Sequence, residues 1–528
     1  MGFINLNLPD LIVLIVYFGA TLALGAWFSR KNTNTEEYFL GGRSFPGWAL
    51  GLSLLGTSMS SVTFIAYPAD GFKTTLVRLA LVLMFPVAAA FGAYVVLPFF
   101  RRGTITSPYE YLARRYGRSI SSYAAMIFLL LQVIRVSSIL YLVSLIFQSV
   151  MGLPFLVCIL IAGGVTALYT VGGGFDAVIW TDVLQTLTLV LGALLMVGIV
   201  AFLAPEGLSG LIQVAYEHGK FSFSKDLNPV TGQIEPLAYG FSLQNKTFLM
   251  LFIVGIVQFL NGQFEQTSIQ RWCSAKSAKE ARKAIAVVAL SSLPVWAGFM
   301  MVGTMLWAYF YLHPNPIVTE MLNGTRKAEE IVPYFITHYV PAGLAGLIIA
   351  GALAAAMSSL SSSINAVGMV WVRDIYKPLF ANEKSDKHYL LVGFIASAVV
   401  SLLMIAGAWL LYRAEVKTLN DLAIILANVC GGGMLAVFMF GVFTRRGNAK
   451  AIWVALVVNA FVVSWIIMGT RGLLPERFSL PIHIYYSSLV GNVLTFAIVW
   501  VASLLFKPSP NKDFTNLTFW DQDKTPLV

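Results

Sequence analysis

About thirteen apolar segments, each long enough to cross a bilayer as a helix, constrain this 528-residue chain more than any other feature. The predicted spans begin near Leu8, Gly47, Leu76, Ser121, Pro154, Asp176, Thr247, Glu280, Gly343, Tyr389, Thr418, Ala451 and Pro481. Lipid offers no hydrogen-bond partner to an exposed backbone, so each span has to be helical. The sequence therefore predicts an all-α membrane protein with about thirteen transmembrane helices.

The balance of residue types agrees with this prediction. Hydrophobic residues make up 58% of the chain and charged residues only 11%. In soluble proteins, roughly a quarter of all residues are charged. The formal net charge of +10 comes from basic residues in short loops rather than in one stripe, so no nucleic-acid partner is predicted. The segment from Asn5 to Ser29 has no basic leader or cleavage site and is predicted to be a retained helix.

Lysine and arginine are unevenly shared between the two sides that thirteen spans would define. The loops on one side, which include Arg101, Arg102 and Arg271, hold more than twice as many of these residues as the loops on the other side. Short loops rich in lysine and arginine stay in the cytoplasm. We therefore expect a multi-pass protein of the plasma or inner membrane, with its N-terminus outside and its C-terminus in the cytoplasm.

Two spans are interrupted by polar residues in their middle. The second span contains the run 56–63 (Gly-Thr-Ser-Met-Ser-Ser-Val-Thr), and the seventh contains the run 258–265 (Gln-Phe-Leu-Asn-Gly-Gln-Phe-Glu). Broken helices of this kind expose backbone dipoles to a polar cargo in transporters. Hydroxyl side chains that bond back to their own helix and bend it are the alternative. Two runs five spans apart favour the matched elements of a five-plus-five inverted repeat, and hence a binding site.

The ninth span is unusually rich in serine. Ser358, Ser361 and Ser362 recur at helical spacing and share one face, with Ser359 and Ser363 in a second row beside them. Sodium is a hard cation that binds several oxygen ligands. Close helix packing through small residues is the alternative, but alanine or glycine would serve it without the polar cost. The serines therefore favour an ion site.

Charged residues within spans are costly unless they are paired or functional. Asp182, in the sixth span, is predicted to bind a cation; the alternative is an interfacial carboxylate near a helix N-terminus. Arg135 lies midway along the fourth span, where a guanidinium could hold a solute carboxylate through two parallel hydrogen bonds. An internal salt bridge from Arg135 to Glu265 or Asp182 remains open. Arg78 lies close enough to a helix end to reach water.

Other classes of membrane protein have weaker support. The run 170–174 (Thr-Val-Gly-Gly-Gly) faintly resembles a potassium filter, but it falls in a predicted turn and a filter needs four copies. There is no phosphate-binding loop, since Gly219 and Lys220 are followed by Phe221. The five histidines are isolated, and Cys158, Cys273 and Cys430 lack metal or redox spacing. Neither an enzyme nor an ATP-driven pump is predicted.

Several motifs resemble those of the sodium/solute symporter family, which contains the sodium-glucose, sodium-iodide and bacterial sialic-acid transporters. They are Glu37-Tyr-Phe-Leu-Gly-Gly-Arg43, Thr106-Ser-Pro-Tyr-Glu-Tyr-Leu112, Tyr169-Thr-Val-Gly-Gly-Gly-Phe175, Trp180-Thr-Asp182, Ile269-Gln-Arg271 and Gly441-Val-Phe-Thr-Arg-Arg446. The resemblance implies a LeuT-like core of two inverted five-helix repeats with two broken helices. It would comprise residues 47–445, with an extra helix at 8–29, two further helices at 451–507 and a cytoplasmic tail at 508–528.

The resemblance also implies Na⁺ as the coupling ion, one or two per cycle. The residues that match the family's main sodium site are Gly56, Met59, Ala355, Ser358 and Ser359. Those that match a second, deeper site found in some members are Asp182, Ser358, Ser361 and Ser362, with Ser58.

Within the family the pattern is most similar to the bacterial sialic-acid branch, which implies substrate contacts from Ser60, Ser61 and Thr63 and a carboxylate held by Arg135. The chain departs from that branch in the third span, where Val82 replaces a glutamine and Arg78 replaces an aromatic residue. Arg78 is also expected at the solute site. We therefore expect a sodium-coupled symporter that imports a small polar solute, a carboxylated sugar such as sialic acid, by alternating access. A neutral monosaccharide or a monocarboxylate is the alternative cargo.

Overall fold

Long apolar helices dominate the computed structural model, which describes residues 7–102, 105–228, 233–381, 383–413, 428–483, 486–506 and 513–522. In these residues nine helices are long and apolar enough to cross a membrane: Leu8–Ser29, Leu76–Arg102, Arg118–Met151, Phe155–Leu203, Ala278–Leu312, Leu344–Phe380, Asp386–Arg413, Ala449–Thr470 and Ser487–Leu505. Two bent helix pairs raise the count to at most eleven. The predicted helical membrane architecture is confirmed, and the span start near Thr418 lies outside the described residues.

Shorter elements connect or interrupt these helices. The short α-helices are Thr35–Leu40, Pro108–Tyr116, Gly207–Glu217, Pro316–Leu322, Ile331–Tyr339 and Met434–Phe443. The span Leu76–Arg102 is irregular, with a π-helical turn at Gly92–Val96, and Leu344–Phe380 has another at Trp371–Tyr376. Short 3₁₀ turns occur at Gly41–Arg43, Leu76–Arg78, Ala328–Glu330, Glu476–Phe478 and Phe519–Asp521. Strands Lys225–Leu227 and Ile234–Pro236 form an antiparallel pair in the loop before the second bent pair, with Asp226 opposite Glu235.

The first bent pair, the first broken span, consists of Gly47–Ser58 and Ser61–Lys73, which meet at 65°. Met59 and Ser60 between them are extended, and they fall inside the polar run predicted to interrupt the helix. Ser60 restarts the helix: its side chain and that of Thr63 form a reciprocal capping box. The break exists because the local sequence supplies a cap in mid-span, where an apolar sequence would continue the helix.

The second broken span consists of Phe248–Gly262 and Gln266–Ser274, bent by 54°. Thr247 caps its first half by accepting a hydrogen bond from the Met250 amide at 3.3 Å. Glu265 is extended and begins the second half. This break also falls in the predicted polar run, so each broken span places free helix ends within the membrane.

The helix Leu344–Val370, here called the serine helix, lies at the centre of the molecule. Every residue from Ile348 to Val370 in it is buried. Its most extensive packing is against Phe155–Leu203, here called the long helix. The N-terminal helix Leu8–Ser29 also packs on both, and the Asp10 carboxylate accepts hydrogen bonds at 2.7 Å from the amides of Gly343 and Gly346. The serines therefore face protein on all sides rather than lipid.

Glycines allow the helix Ala278–Leu312 to approach the first broken span closely. A Cβ atom added at Gly303 would lie 1.8 Å from the Pro68 carbonyl oxygen. A Cβ atom added at Gly71 would lie 2.1 Å from the Met300 carbonyl oxygen. Any side chain at either glycine would push the second half of the first broken span away.

We expect Gly303→Ala to lower the melting temperature of the purified protein, because overpacking against a backbone carbonyl costs roughly 1–3 kcal/mol. Gly298→Ala is the matched control on the same helix, since a Cβ atom there meets nothing within 4 Å. The control is expected to leave stability unchanged or to raise it by up to about 1 kcal/mol, through better helix propensity. Equal melting temperatures for the two variants would contradict this close contact.

Candidate functional site

A cluster of oxygen atoms forms where the break in the first broken span meets the serine helix. The Ser359 hydroxyl lies 3.0 Å from the Met59 carbonyl oxygen, 3.1 Å from that of Thr57 and 3.4 Å from that of Ala355. A hydroxyl has one proton and satisfies one acceptor at a time. The helix ends at Ser58, so the carbonyls beside it lack the helical donors they would otherwise have. The cluster therefore contains more hydrogen-bond acceptor oxygens than hydroxyl protons to bond with them.

Ser358 adds a further oxygen beside this cluster. Its side chain is 1% exposed, and its hydroxyl has no hydrogen-bond partner among the described residues. A Cβ atom added at Gly56 would lie 2.9 Å from that hydroxyl oxygen, so the Gly56 backbone packs directly against it. Buried hydroxyls normally find a partner. Neutral oxygens with spare lone pairs in a buried position suit a hard monovalent cation.

A second polar cluster surrounds Asp182 on the long helix and is here called the Asp182 cluster. Its carboxylate, which is 0% exposed, accepts hydrogen bonds from Ser53 at 2.5 Å, Ser362 at 3.3 Å and Ser361 at 3.4 Å. Thr57 lies 3.5 Å away. The structure thus brings Asp182, Ser361 and Ser362 together as the sequence led us to expect.

Ser58 lies apart from the Asp182 cluster. Its hydroxyl donates to the Leu55 carbonyl at 2.7 Å, and the side chain is exposed to the cavity that contains Arg135. It follows Thr57 on the helix, and successive residues on a helix point about 100° apart. Thr57 therefore occupies the position beside Asp182 that we had expected for Ser58.

Arg271, which sequence reasoning counted as a loop cation, lies inside the Asp182 cluster. Its guanidinium is 2.9 Å from the Asp182 carboxylate, with side-chain exposures of 1% and 0% for the two residues. Ser53 and Thr57 were missed with it, although all three lie on broken spans. The signal available in the sequence was Asp182 itself, because a carboxylate buried in the membrane requires a cation nearby. A search for that cation among arginines other than Arg135 would have found Arg271.

Arg135 lines a cavity of about 470 Å³ between the two broken spans, here called the Arg135 cavity. The polar residues around it are Thr57, Ser58, Ser60, Thr63, Arg78, Gln258, Asn261, Gln263, Glu265, Thr267 and Ser268. The Arg135 guanidinium lies 3.9 Å from the Glu265 carboxylate, and both side chains remain more than a third exposed. The internal partner considered for Arg135 is therefore Glu265, at a distance that leaves most of the guanidinium fork free.

Ser61 and Arg78, both expected at the solute site, have other surroundings. The Ser61 hydroxyl donates to the Ile139 carbonyl at 3.4 Å, and its side chain lines a separate groove. Arg78 reaches the Arg135 cavity, but it is bound to the Asp70 carboxylate and lies 4.4 Å from the centre of the Tyr67 ring.

Aromatic side chains line the Arg135 cavity together with Arg78. The ring centres of Tyr67 and Trp296 are 6.2 Å apart and stacked. Phe85 packs edge-on against Trp296 at 6.0 Å and against Phe259 at 4.9 Å. Val82, which occupies the position where the resemblance would place a glutamine, is only 2% exposed and is not among the described residues that line the cavity. The polar part of the cavity is therefore the region between Ser60, Arg135 and the second broken span.

Comparisons with known proteins give a consistent result along the chain. A family model described as the sodium:solute symporter family matches residues 38–458. The chain is 30% identical to a sodium/sialic acid symporter of Proteus mirabilis over 96% of both chains. It is 28% identical to a sodium/sialic acid symporter of Aliivibrio fischeri, over 95% of this chain and 94% of that one. A sodium/glucose cotransporter of Vibrio parahaemolyticus is 27% identical over 86% of this chain and 84% of its own.

Solved structures agree with these sequence relationships. A Na⁺-coupled sialic acid symporter in a substrate-bound, outward-open state superposes with a TM-score of 0.82 at 27% identity, over 95% of this chain and 99% of that one. A nucleobase-cation symporter in a closed conformation gives a TM-score of 0.51 at 15% identity, over 92% and 99%. The second likeness concerns the fold alone, and it supports the LeuT-like type of helix arrangement.

Proposed function

Because the chain belongs to the sodium:solute symporter family, we propose that it imports a carboxylated sugar, sialic acid, together with Na⁺ by alternating access. Sodium-coupled symport is the activity of the family, and Na⁺ is the coupling ion. The carboxylated cargo is supported by one observation above the others. A guanidinium that is only loosely paired lies in a polar cavity between two broken helices, next to the Ser359 oxygen cluster.

The size and chemistry of the Arg135 cavity support this cargo. Its volume of about 470 Å³ is within the range of sites for small molecules. Arg135 can hold a carboxylate through two parallel charge-assisted bonds, and Ser60, Thr63 and Asn261 offer hydrogen bonds to sugar hydroxyls. The two relatives named as sialic acid symporters are aligned over nearly the full chain, which also supports it. A neutral monosaccharide remains the second candidate, because Glu265 already lies near the guanidinium.

For the main sodium site we propose backbone oxygens of Gly56, Met59 and Ala355 with the hydroxyls of Ser358 and Ser359. The convergence of three carbonyls on Ser359 and the unpartnered Ser358 hydroxyl support this assignment. When bound there, Na⁺ would tie the break of the first broken span to the serine helix. This would couple ion binding to the position of the wall of the Arg135 cavity.

We propose thirteen spans with an inverted-repeat core at residues 47–445, preceded by the helix at 8–29 and followed by two helices at 451–507 and the tail at 508–528. The long helix has 49 residues, about 73 Å of helix, which is more than twice the thickness of the bilayer core. Gly174 interrupts it with φ 62° and ψ −156°, which supports a division into two spans. The apolar helix Asn428–Phe443 supports the eleventh.

In the proposed orientation the N-terminus lies outside and the C-terminus in the cytoplasm, as the uneven distribution of lysine and arginine suggests. The aromatic residues beside Arg78 then lie on the outer side of Arg135. Each Na⁺ that enters down a potential of 100 mV contributes about 2.3 kcal/mol before its concentration gradient is added. That energy can drive accumulation of an anion, whose own charge opposes entry.

The proposed function is tested with purified protein in liposomes. We expect uptake of radiolabelled sialic acid under an inward Na⁺ gradient and little uptake under an equal K⁺ gradient. Unlabelled sialic acid should compete, whereas glucose, lactate and proline should not. Uptake that is indifferent to Na⁺, or preferential uptake of glucose or lactate, would contradict the proposed function.

A further inference from the structure

A segment within the proposed cytoplasmic tail, residues 513–522, packs against the helical core and is here called the strap. Its residues Leu517 and Thr518 are buried, with exposures of 8% and 0%. The Leu517 carbonyl accepts a hydrogen bond from the Tyr111 hydroxyl at 3.0 Å. Buried side chains and a bond to the backbone therefore hold the strap in one place, in addition to its surface charges.

The strap joins the two halves of the proposed inverted repeat at the side proposed to be cytoplasmic. Arg102, at the end of the third span, donates to the Gln522 side chain at 2.6 Å. The Trp520 indole donates at 2.8 Å to the carbonyl of Phe443, the last residue of the helix Met434–Phe443. Alternating access is largely a rocking of one repeat or bundle against the other. The strap thus crosses a boundary at which movement is expected.

The contacts of Arg115 show which element the strap adds to its neighbours. Arg115, on the helix Pro108–Tyr116, is 0% exposed and donates to the Thr444 carbonyl at 2.7 Å. This bond joins its helix to the end of the helix Met434–Phe443 independently of the strap. The strap attaches the third span to that unit.

A continuous set of aromatic rings, here called the aromatic row, leads from the strap into the core. Neighbouring ring centres in it are 4.8–6.5 Å apart, a separation at which aromatic pairs attract each other. At one end, Phe443 lies 6.0 Å from the ring of Phe519 in the strap. The members of the aromatic row are Phe91, Tyr111, Phe264, Phe438 and Phe443.

The aromatic row also reaches the residues beside the Arg135 cavity. Phe264 lies in the break between the two halves of the second broken span and is 5% exposed. The next residue, Glu265, lines the cavity and lies 3.9 Å from the Arg135 guanidinium. Phe91, on the third span, is 6.5 Å from Phe264 and 6.2 Å from Phe443. Movement of the third span away from its neighbours would therefore separate rings that now pack together beside the solute site.

We propose that the strap holds the third span against the helix Met434–Phe443 and so keeps the aromatic row closed, and that its release is a step in opening the Arg135 cavity to the cytoplasm. This inference rests on the proposed alternating access and adds a conformational control on it. The strap acts on the position of the helices and makes no contact with the solute.

Labelling of a cysteine in the Arg135 cavity tests the inference. Thr267 lines this cavity and is 5% exposed, so Thr267→Cys reports access to it in full-length protein whose three native cysteines are replaced by serine. A membrane-impermeant maleimide is applied to membrane vesicles from the face that carries the strap. In a separate variant, Thr515→Cys, at an exposed position of the strap, identifies that face. The labelling requires neither Na⁺ nor solute.

Leu517→Asp should release the strap, because a carboxylate is costly at a position buried among apolar groups. We expect the cysteine at Thr267 to react at least about fivefold faster in this background, since loss of the strap shifts the population towards the state open to the cytoplasm. Thr515→Asp adds the same charge at an exposed position two residues earlier and is the matched control. It should leave the labelling rate within about twofold of that with the native strap.

The ion pair between Arg445 and Asp521 supplies a second variant, for use if Leu517→Asp does not reach the membrane. Asp521→Arg sets two like charges against each other and should accelerate labelling by about twofold to threefold, the effect expected of an exposed pair. Adding Arg445→Asp restores the pair with its charges exchanged and should return the rate to that with the native strap. General damage to the fold would not be reversed in this way.

Equal labelling rates with the native strap and with Leu517→Asp, or an equal acceleration by Thr515→Asp, would overturn the inference. So would an acceleration by Asp521→Arg that the exchanged pair fails to reverse. Absence of Na⁺-driven uptake of sialic acid would instead contradict the proposed function, and the labelling rates would still decide the role of the strap.

Discussion

Replacement of Ser359 with alanine is expected to raise the Na⁺ concentration for half-maximal uptake by about 5-fold to 150-fold. Within the described ranges, the Ser359 hydroxyl is the one side-chain oxygen that contacts the carbonyls of Thr57, Met59 and Ala355 together. Loss of a buried polar partner costs about 1–3 kcal/mol, and 1.4 kcal/mol corresponds to a factor of ten in affinity. Initial rates of uptake into liposomes, measured over a series of Na⁺ concentrations, give this value directly.

Ser363→Ala is the matched control for that experiment. Ser363 lies about one turn further along the serine helix and is as deeply buried as Ser359, with 1% exposure against 0%. In the described residues it makes no hydrogen bond to the oxygens of the first broken span, so its loss should leave the Na⁺ dependence within about twofold of wild type. Equal Na⁺ dependence of the two variants would mean that the main site has been assigned to the wrong oxygens.

Arg135→Ala is expected to weaken the binding of sialic acid by about 10-fold to 150-fold. Hydrogen bonds to a charged group contribute about 1.5–3 kcal/mol, and a guanidinium forms two of them with one carboxylate. Arg135→Lys keeps the charge without the planar fork and should fall between wild type and the alanine variant. Competition against radiolabelled sialic acid in liposomes measures the three affinities.

The methyl ester of sialic acid separates charge recognition from general damage to the Arg135 cavity. It retains the sugar but lacks the carboxylate charge, so wild type should bind it much more weakly than the acid. Arg135→Ala should bind the acid and the ester almost equally, because the guanidinium that distinguishes the carboxylate from the ester is absent. Undiminished preference for the acid in that variant would assign carboxylate recognition to another residue and favour Arg78, which also faces this cavity.

Local sequence was sufficient for the helical membrane architecture and for the two breaks. Apolar length is a property of each segment alone, and the serine and threonine run at 56–63 carries its own cap in Ser60 and Thr63. The serine spacing likewise predicted a hydroxyl-rich face, and the family resemblance matched Met59, Ala355 and Ser359, whose oxygens the structure brings together. Their proximity follows from one broken helix packing against one neighbour.

Pairings between distant residues were decided by the tertiary structure. Arg271 and Asp182 are 89 positions apart, and hydropathy assigned the arginine to a loop because the second half of its broken span is short and polar. Whether Arg78 is available to a solute depends on Asp70, and the choice between Thr57 and Ser58 beside Asp182 depends on the rotation of one helix. Sequence determines which residues need a partner in the membrane, because burial of charge and polarity is costly for each of them. Packing determines which partner they receive, because that depends on the relative position and rotation of four helices.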